Sequence, residues 1–173
     1  PYASTGDYCI RLRDNSSSSV MTTDILDLSD FEELTIDFSY YVRSFDSSNE
    51  DFWLQISTNG GSSFSTVEEW NLGDEFNNDQ FESDQVVITG TFSANTILRF
   101  RCDASSNNDL VYIDDVDISG FKEVYYSNTN FTNGINNLAF HTPFNWNGTD
   151  NLIVEISFTN STASSNTILN GGN

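Results

Sequence analysis

Strict alternation of apolar and polar side chains between residues 34 and 42 limits how this chain can fold more than any other feature. Its apolar members are Leu34, Ile36, Phe38, Tyr40 and Val42, and between them stand Thr35, Asp37, Ser39 and Tyr41. Successive side chains of a β-strand point to opposite faces, so a period of two predicts a strand with one buried face. The segment therefore belongs to a sheet.

The same alternation continues along the chain. Phe52, Leu54 and Ile56 alternate with polar residues and Trp53, and Asn59-Gly60 then gives a strong hairpin signal before a return strand at residues 64–70. Further short strands are predicted in "QVVITG", "TILRFRC" and "LVYIDDVDI". Helix-forming residues are scarce, and Lys occurs once. These features predict an all-β fold, an antiparallel β-sandwich of the jelly-roll type.

The charge of the chain narrows the classes of partner. Six Lys and Arg residues stand against 26 Asp and Glu residues, which gives a formal net charge of -20. Such a chain is repelled by nucleic acid and by anionic membrane surfaces. No apolar run has the length needed to span a bilayer, so membrane insertion is not expected. Basic ligands, divalent cations and neutral polymers remain as partners.

A shift in composition near Gly120 predicts two units, residues 1–120 and residues 121–173. The first holds 23 of the 26 acidic residues, and the second holds three. The second unit is predicted to contain three strands, at Val124–Tyr126, Asn137–Phe140 and Leu152–Phe158. Three strands rarely make a stable core alone, so this unit either packs on the first or is incomplete.

The two cysteines, Cys9 and Cys102, lie far apart in strand-like stretches. In a secreted protein they predict one disulfide that closes a long loop and stabilises the fold by about 2–4 kcal/mol. Strand parity leaves two free thiols open as an alternative, because Cys9 shares a face with Arg11 whereas Cys102 shares one with Phe100.

Asp114 and Asp115 are adjacent within a predicted strand, so one of them should face the core, where an unpaired charge is strongly destabilising. A bound cation would compensate that charge. Backbone amides, or pairing with Arg11, Arg99 or Arg101, would do so as well. Both explanations stay open at this point.

The loop before this strand favours the cation. Its oxygen-bearing side chains follow the spacing one, three, five, seven and twelve of a calcium-binding loop, at Asp103, Ser105, Asn107, Asp109 and Asp114. Asn108 replaces the glycine of that loop, and the flanks are strand-like, so the loop is not an EF-hand. We expect structural calcium, with Asp103, Asn107, Asp109, Asp114 and Asp115 as candidate ligands.

Two aromatic side chains are candidates for ligand contact. Trp53 and Tyr41 alternate out of phase with their buried neighbours, so both should face outward. An outward aromatic ring can stack on a sugar, but it can equally pack against a neighbouring loop or sheet.

Catalysis is not expected. Glycosidases built on concanavalin-like sandwiches place carboxylates at alternate positions of one strand, and no strand here has that pattern. The chain has one histidine, His141, and neither a Ser-His-Asp order nor a His cluster.

Several stretches resemble the MAM-like jelly-roll modules of secreted multidomain proteins, which are common in Bacteroidota and related in architecture to concanavalin A-like sandwiches. They are "TGDYCIRLRDNSSSSVMTTDILDLS", "LTIDFSYYVRS", "EDFWLQISTNGGSSF", "VEEW" and "LRFRCDASSNNDLVYIDDVDISG", within residues 4–120. The resemblance implies an extracellular or cell-surface location. It also implies a calcium site at the closing strand "YIDDV" that ties this strand to the first one.

Two further stretches resemble known segments. "STNGGSSF" is similar to the Asp-box of sialidases, with Asn59 where that motif has Asp, and this implies a fold-stabilising turn. "NNLAFHTPFNWNGTDNLIVEISFTN" is similar to a recurrent segment of another β-module of secreted Bacteroidota proteins.

These features favour a non-catalytic extracellular module with a structural or adhesive role, a building block of a large surface protein or filament. Its partners would be other copies or other surface proteins. The alternative is a glycan-binding accessory module of a secreted hydrolase, with polysaccharide as its partner.

Overall fold

The computed structural model describes residues 2–14, 16, 18–130, 132–144, 146, 148–149 and 151–157. These residues form strands and connecting segments and contain no helix, which confirms the all-β prediction. The strands in chain order are β1 (Ile10–Arg13), β2 (Val20–Thr22), β3 (Glu33–Arg43), β4 (Asp51–Ser57), β5 (Ser65–Asn71), β6 (Phe81–Thr89), β7 (Ile97–Asp103) and β8 (Leu110–Phe121).

The strands form two four-stranded sheets. Sheet A has the order β1-β8-β3-β6, and sheet B has the order β2-β7-β4-β5. Every neighbouring pair is antiparallel. The side chains that face one another between the sheets form one hydrophobic core, so the predicted antiparallel β-sandwich is confirmed.

The alternation in β3 sets the inner face of sheet A. Leu34, Ile36, Phe38, Tyr40 and Val42 are all buried in the core. Burial of one such side chain stabilises the fold by roughly 1.5–3 kcal/mol, so this strand alone fixes which face of sheet A points inward. Its opposite face carries the polar residues and is the outer face of the sheet.

The hairpin between β4 and β5 is held by its own side chains. The Asn59 amide oxygen accepts hydrogen bonds from Ser57 Oγ at 2.8 Å and from the Ser63 backbone N–H at 3.0 Å. Ser57 Oγ also accepts the Gly61 N–H at 2.9 Å. Gly60 and Gly61 have φ angles of 70° and 85°, in the left-handed region that glycine adopts without strain. The turn is therefore stabilised by the side chains of Ser57 and Asn59 and by the two glycines that follow Asn59.

Beyond β8 the structure differs from the prediction. The described residues within 122–157 contain no strand, although strands are predicted at Val124–Tyr126, Asn137–Phe140 and Leu152–Phe158; Phe158 itself lies outside the described residues. The apolar residues of the third segment are exposed, and Ile153 is 91% accessible. A strand needs a neighbour for its backbone hydrogen bonds, which alternation alone cannot supply. By contacts the chain divides into Pro1–Thr142 and Pro143–Asn173, and a separate domain at 121–173 stays a prediction.

Candidate functional site

Asp114 and Asp115 lie at a β-bulge in β8. Asp117 is opposite Asp37 of β3, whereas Asp114 is opposite Ser39, so β8 has one more residue than its partner in this interval. Asp115 has a φ of 50°, and the bulge interrupts the alternation of side chains. Neither carboxylate is buried. The prediction that one of the two faces the core is therefore wrong, because it assumed an unbroken strand.

Both carboxylates hold the segment before β1. Asp114 Oδ2 accepts the backbone N–H groups of Ser4 at 2.8 Å and Thr5 at 3.2 Å. Asp115 Oδ1 accepts a hydrogen bond from the Thr5 hydroxyl at 2.5 Å. Backbone amides thus compensate the charge of Asp114, one of the two explanations that the sequence leaves open.

Tyr41 also faces this segment. It lies outward on sheet A, as predicted, but the Tyr2 ring packs on it at 5.1 Å between centroids and stacks on Tyr112 at 4.4 Å. Tyr2 Oη accepts a hydrogen bond from Arg43 at 2.6 Å. Tyr41 Oη donates to Asp79 at 3.2 Å. The ring is engaged by packing, so Tyr41 offers little free surface for a ligand.

The candidate calcium ligands in and beside the acidic loop before β8 lie in different surroundings. Asp103 is opposite Asp51 in the pairing of β7 with β4, and Asn107 is exposed. Asp109 is 3% exposed and lies against Glu50, which sequence analysis did not single out. The five predicted calcium ligands therefore do not converge on one point.

No group of three or more His, Cys, Asp or Glu side chains is arranged to hold a metal among residues 2–157, leaving aside those that the structure does not describe. The calcium prediction for Asp103, Asn107, Asp109, Asp114 and Asp115 stays a prediction. Asp114 is the weakest fit among them, since one of its oxygens already accepts two N–H groups.

Trp53 lies outward on sheet B, in the middle of a cluster that we call the Trp53 patch. Within the sheet, Trp53 stands between Arg101 and Glu69, and Asp51 stands next to Asp103 in the adjacent row. These five residues define the patch. The guanidinium carbon of Arg101 is 5.0 Å from the centroid of the Trp53 ring, a cation–π contact. The patch thus combines a half-buried aromatic ring with charges of both signs.

Three polar atoms of the patch are buried without a hydrogen-bond partner among the described residues: Asp51 Oδ1, Trp53 Nε1 and Arg101 Nε. Burial, followed by the charges of Glu69 and Asp103, raises the pKa of Asp51 to about 7. The Trp53 indole opposes this increase, but it lies beside the carboxyl without closing a hydrogen bond. A buried polar atom left unpaired costs about 1–3 kcal/mol, so three in one patch indicate an incomplete set of interactions.

Side chains next to the Trp53 patch are held in place by hydrogen bonds and by a ring contact. Arg99 Nε donates to the Gln55 amide oxygen at 2.8 Å, and Gln55 Nε2 donates to Thr66 at 3.0 Å. The Arg99 guanidinium carbon lies 3.6 Å from the centroid of the Phe64 ring. These hydrogen bonds and this ring contact hold the sheet face in one arrangement, which preorganises the patch.

Sequence analysis named Trp53 but missed Asp51 and Glu50, and it named Arg101 only as a possible partner of Asp114 or Asp115. A signal for them exists in retrospect. Glu50 directly precedes β4 and Asp51 begins it, and in this strand alternate residues pack in the core, so a buried carboxylate there must find a partner. Arg99 and Arg101 share the outward face of "LRFRC". The alternation of side chains does not show which strand pairs with the strand of Arg99 and Arg101, because strand order depends on the topology of the sheet.

Cys9 and Cys102 are free thiols in the structure, and the predicted disulfide is not formed. Cys102 belongs to the core on the inner face of sheet B. Cys9 precedes β1 of sheet A, and burial, followed by the charge of Asp114, raises the pKa of its thiol. The structure thus has the two free thiols that strand parity left open as the alternative.

No family model and no curated protein matches the chain. Similar solved structures include a family 16 carbohydrate-binding module, 15% identical over 68% of this chain and 80% of that one, with a TM-score of 0.48. A xylan-binding domain from Paenibacillus barcinonensis is 10% identical over 69% and 76%, with a TM-score of 0.48. The K3 cleaved adhesin domain of Lys-gingipain from Porphyromonas gingivalis is 15% identical over 64% and 72%, with a TM-score of 0.43. Membrane-spanning helices are absent from the described part of the chain.

Proposed function

We propose that the protein is a non-catalytic extracellular module that binds a neutral polysaccharide at the Trp53 patch. One observation carries this proposal: three polar atoms around a half-buried indole, Asp51 Oδ1, Trp53 Nε1 and Arg101 Nε, have no partner in the described structure. Because these atoms are buried, a ligand reaches them only when the side chains of the patch turn outward on binding; its hydroxyl groups, which both donate and accept hydrogen bonds, would then complete the interactions.

The chemistry of the patch fits a sugar chain. Asp51 offers an acceptor, whereas the N–H groups of Trp53 and Arg101 offer donors, and the indole adds apolar area. Carbohydrate faces carry C–H groups and their edges carry hydroxyls, so a flat surface with this mixture is complementary to them. The net charge of -20 disfavours an acidic polysaccharide, which leaves a neutral one.

Affinity electrophoresis tests the proposal. The protein and its Trp53→Ala variant are run in native gels that contain xylan, a mixed-linkage β-glucan or a galactomannan. Tyr8→Ala is the matched control, since Tyr8 is an aromatic side chain that is 88% exposed and lies outside the patch. We expect wild type and Tyr8→Ala to be retarded and Trp53→Ala to run freely. Equal retardation of all three proteins, or retardation of none, would overturn the proposal.

A second candidate function, the structural or adhesive role, is supported by the outer face of sheet A. One end of this face carries acidic side chains, and the other end carries basic ones. The acidic residues are Glu33, Asp37, Asp114, Asp115 and Asp117, and the basic ones are Arg11, Arg13 and Arg43. The chain has six basic residues, and five of them are arginines on the outer faces of the sheets. Three of these arginines lie at the basic end of this face of sheet A.

Such a face is complementary to itself. A second copy, turned by half a rotation about an axis that lies in the interface plane and runs across the strands, would place its acidic end on the basic end of the first. The occupant of this surface is then another copy of the chain, which agrees with a building-block role. The contact would be electrostatic and therefore weakened by salt.

Sedimentation velocity in low and high salt tests this second function. We expect a dimer at about 0.05 M NaCl that dissociates at about 1 M NaCl, where the Debye length falls to about 3 Å. Arg11→Glu should abolish the dimer, while Thr58→Glu, an exposed change in the β4–β5 hairpin, should leave it intact. A monomer at low salt, or a dimer that Arg11→Glu leaves unchanged, would contradict the adhesive role through this face.

A further inference from the structure

Residues 2–5, which we call the Tyr2 segment, lie on the outer face of sheet A and cover two of its rings. The Tyr2 ring stacks on Tyr112 at 4.4 Å and packs on Tyr41 at 5.1 Å between ring centroids. Tyr112 is opposite Tyr41 in the sheet and points outward, and yet it is only 8% exposed, because the Tyr2 ring covers it. The outer face therefore holds one aromatic side chain of the segment in the way that a binding site holds a ligand.

Polar groups beside the two rings bind the rest of the Tyr2 segment. Arg43 donates a hydrogen bond to Tyr2 Oη at 2.6 Å. Asp114 Oδ2 accepts the backbone N–H groups of Ser4 and Thr5, and an ionised carboxylate makes such hydrogen bonds strong. The site, which we call the tyrosine slot, consists of Tyr41, Arg43, Tyr112, Asp114 and Asp115. Its chemistry fits a peptide that carries a phenol ring two positions before two free N–H groups.

The short connection between the Tyr2 segment and β1 reverses the course of the chain. The segment follows β8 from Tyr112 toward Asp114, whereas β1 runs antiparallel to β8. Gly6 lies at this reversal with a φ of 63°, in the left-handed region that glycine adopts without strain. Residues 6–8 are exposed and precede the first strand pair. The connection can therefore straighten without breaking a sheet.

We propose that the tyrosine slot of one copy binds residues 2–5 of a second copy, so that neighbouring copies are joined by exchange of the Tyr2 segment. Each contact that the segment makes within its own chain can also form between chains, because the slot is the same in every copy. Only surface contacts are exchanged, so the sandwich stays folded. A segment finds its own slot at a high effective concentration, and exchange therefore prevails where copies are crowded, as building blocks of an assembly are. The proposal does not depend on the Trp53 patch.

Gly6→Ala tests the exchange in a chain whose slot and segment are intact. A Cβ at residue 6 would meet nothing within 4 Å beyond its chain neighbours, so the substitution acts on the backbone alone and disfavours the reversal. An L-residue disfavours this conformation roughly tenfold. Sedimentation velocity at about 1 M NaCl, where charge contacts are screened, should show an association constant roughly tenfold higher for each chain that straightens.

Gly73→Ala is the matched control, because Gly73 has a φ of 93° and equally open surroundings in another loop. It should associate no more than wild type does. If Gly6→Ala associates no more than Gly73→Ala, the proposal is overturned.

A mixture of two variants tests the binding between copies directly. The acceptor is 15N-labelled Tyr2→Ala, which keeps the tyrosine slot but lacks the ring that fills it. The donor is unlabelled Arg43→Ala/Asp114→Ala, which keeps the Tyr2 segment but lacks the polar groups that hold it, and both changes lie outside the core. Donor at about 1 mM, the effective concentration that a short flexible linker provides, should shift the amide signals of Tyr41 and Tyr112 progressively at about 1 M NaCl.

The control donor for the mixture carries Tyr2→Ala in addition to Arg43→Ala and Asp114→Ala, so its segment has no ring. It should leave the signals of the acceptor in place. Unchanged signals with the first donor, or equal shifts with both donors, would overturn the proposal.

Discussion

The Trp70 indole N–H donates a hydrogen bond to Asp84 Oδ2 at 2.8 Å and so links the edge strand of sheet B to the edge strand of sheet A. Trp70 is fully buried and stacks on Phe52 at 4.9 Å between ring centroids. Asp84 belongs to β6 and lies at the rim, where it is exposed. This bond closes the open side of the sandwich between β5 and β6.

Asp84→Ala should destabilise the fold by about 1–3 kcal/mol, because it leaves the buried indole N–H without an acceptor. Urea unfolding would show the change as a lower midpoint at an unchanged slope. Asp74→Ala removes an exposed carboxylate from a nearby loop and should leave the midpoint within about 0.5 kcal/mol of wild type. Equal midpoints for the two variants would mean that the Trp70–Asp84 bond contributes nothing.

The hairpin between β4 and β5 should depend on one amide. Asn59→Ala removes the acceptor for Ser57 Oγ and the Ser63 N–H, and it removes the donor to Ser63 Oγ. We expect a loss of about 1–2 kcal/mol in the free energy of unfolding. Thr58→Ala, at the adjacent exposed position, should cost less than about 0.5 kcal/mol. An Asn59→Ala variant as stable as Thr58→Ala would show that the network is incidental.

The segment before β1 should loosen when Asp114 is removed. Asp114→Ala takes away the acceptor for the Ser4 and Thr5 N–H groups, so their amide hydrogens should exchange roughly tenfold faster, equivalent to about 1.4 kcal/mol. Hydrogen exchange read by NMR measures this directly. Asp117→Ala, on the same strand but without these bonds, is the control. Unchanged exchange at Ser4 and Thr5 would contradict the role given to Asp114.

Thiol labelling should distinguish the two cysteines. Burial raises the pKa of Cys102 to about 12, and its side chain is 0% exposed, so it should resist alkylation at pH 8 in the native state. Cys9 is only half-buried and should react. We expect one labelled thiol per native chain and two after unfolding without reductant. An unfolded chain with no reactive thiol would demonstrate the disulfide that the structure lacks.

Strand positions with one buried face were predictable from the sequence. The period of two in β3 and β4 and the Asn59-Gly60 turn gave the central strands and their hairpin, because burial of one face enforces alternation. The same rule failed at Asp115, where a bulge inserts one residue and changes the side that the following residues face. The bulge does leave a mark in the apolar pattern, because Ile113 and the next core-facing residue, Val116, are three positions apart instead of two. The prediction for Asp114 and Asp115 was wrong because it assumed unbroken alternation across this gap.

The candidate site was less predictable, because it depends on which strands are neighbours. Trp53 was predicted to face outward because it alternates with buried residues. Arg101, however, contacts Trp53 only because β7 lies beside β4. Tyr41 has the same phase and yet is covered by Tyr2, a contact 39 positions away that periodicity does not encode. Glu50 and Asp109 meet across 59 positions. Contacts between residues so far apart in the sequence cannot be predicted from the local pattern of apolar and polar residues.

The Trp53 patch as a polysaccharide site is the central claim, and the indole N–H signals test it most directly. The chain has three tryptophans, so a 15N-labelled sample gives three indole cross-peaks, which substitution can assign. On addition of an oligosaccharide of the retarding polysaccharide, we predict that the Trp53 signal shifts progressively. The Trp70 signal, buried and bound to Asp84, should stay in place. A Trp53 signal that does not move at saturating oligosaccharide would contradict the account.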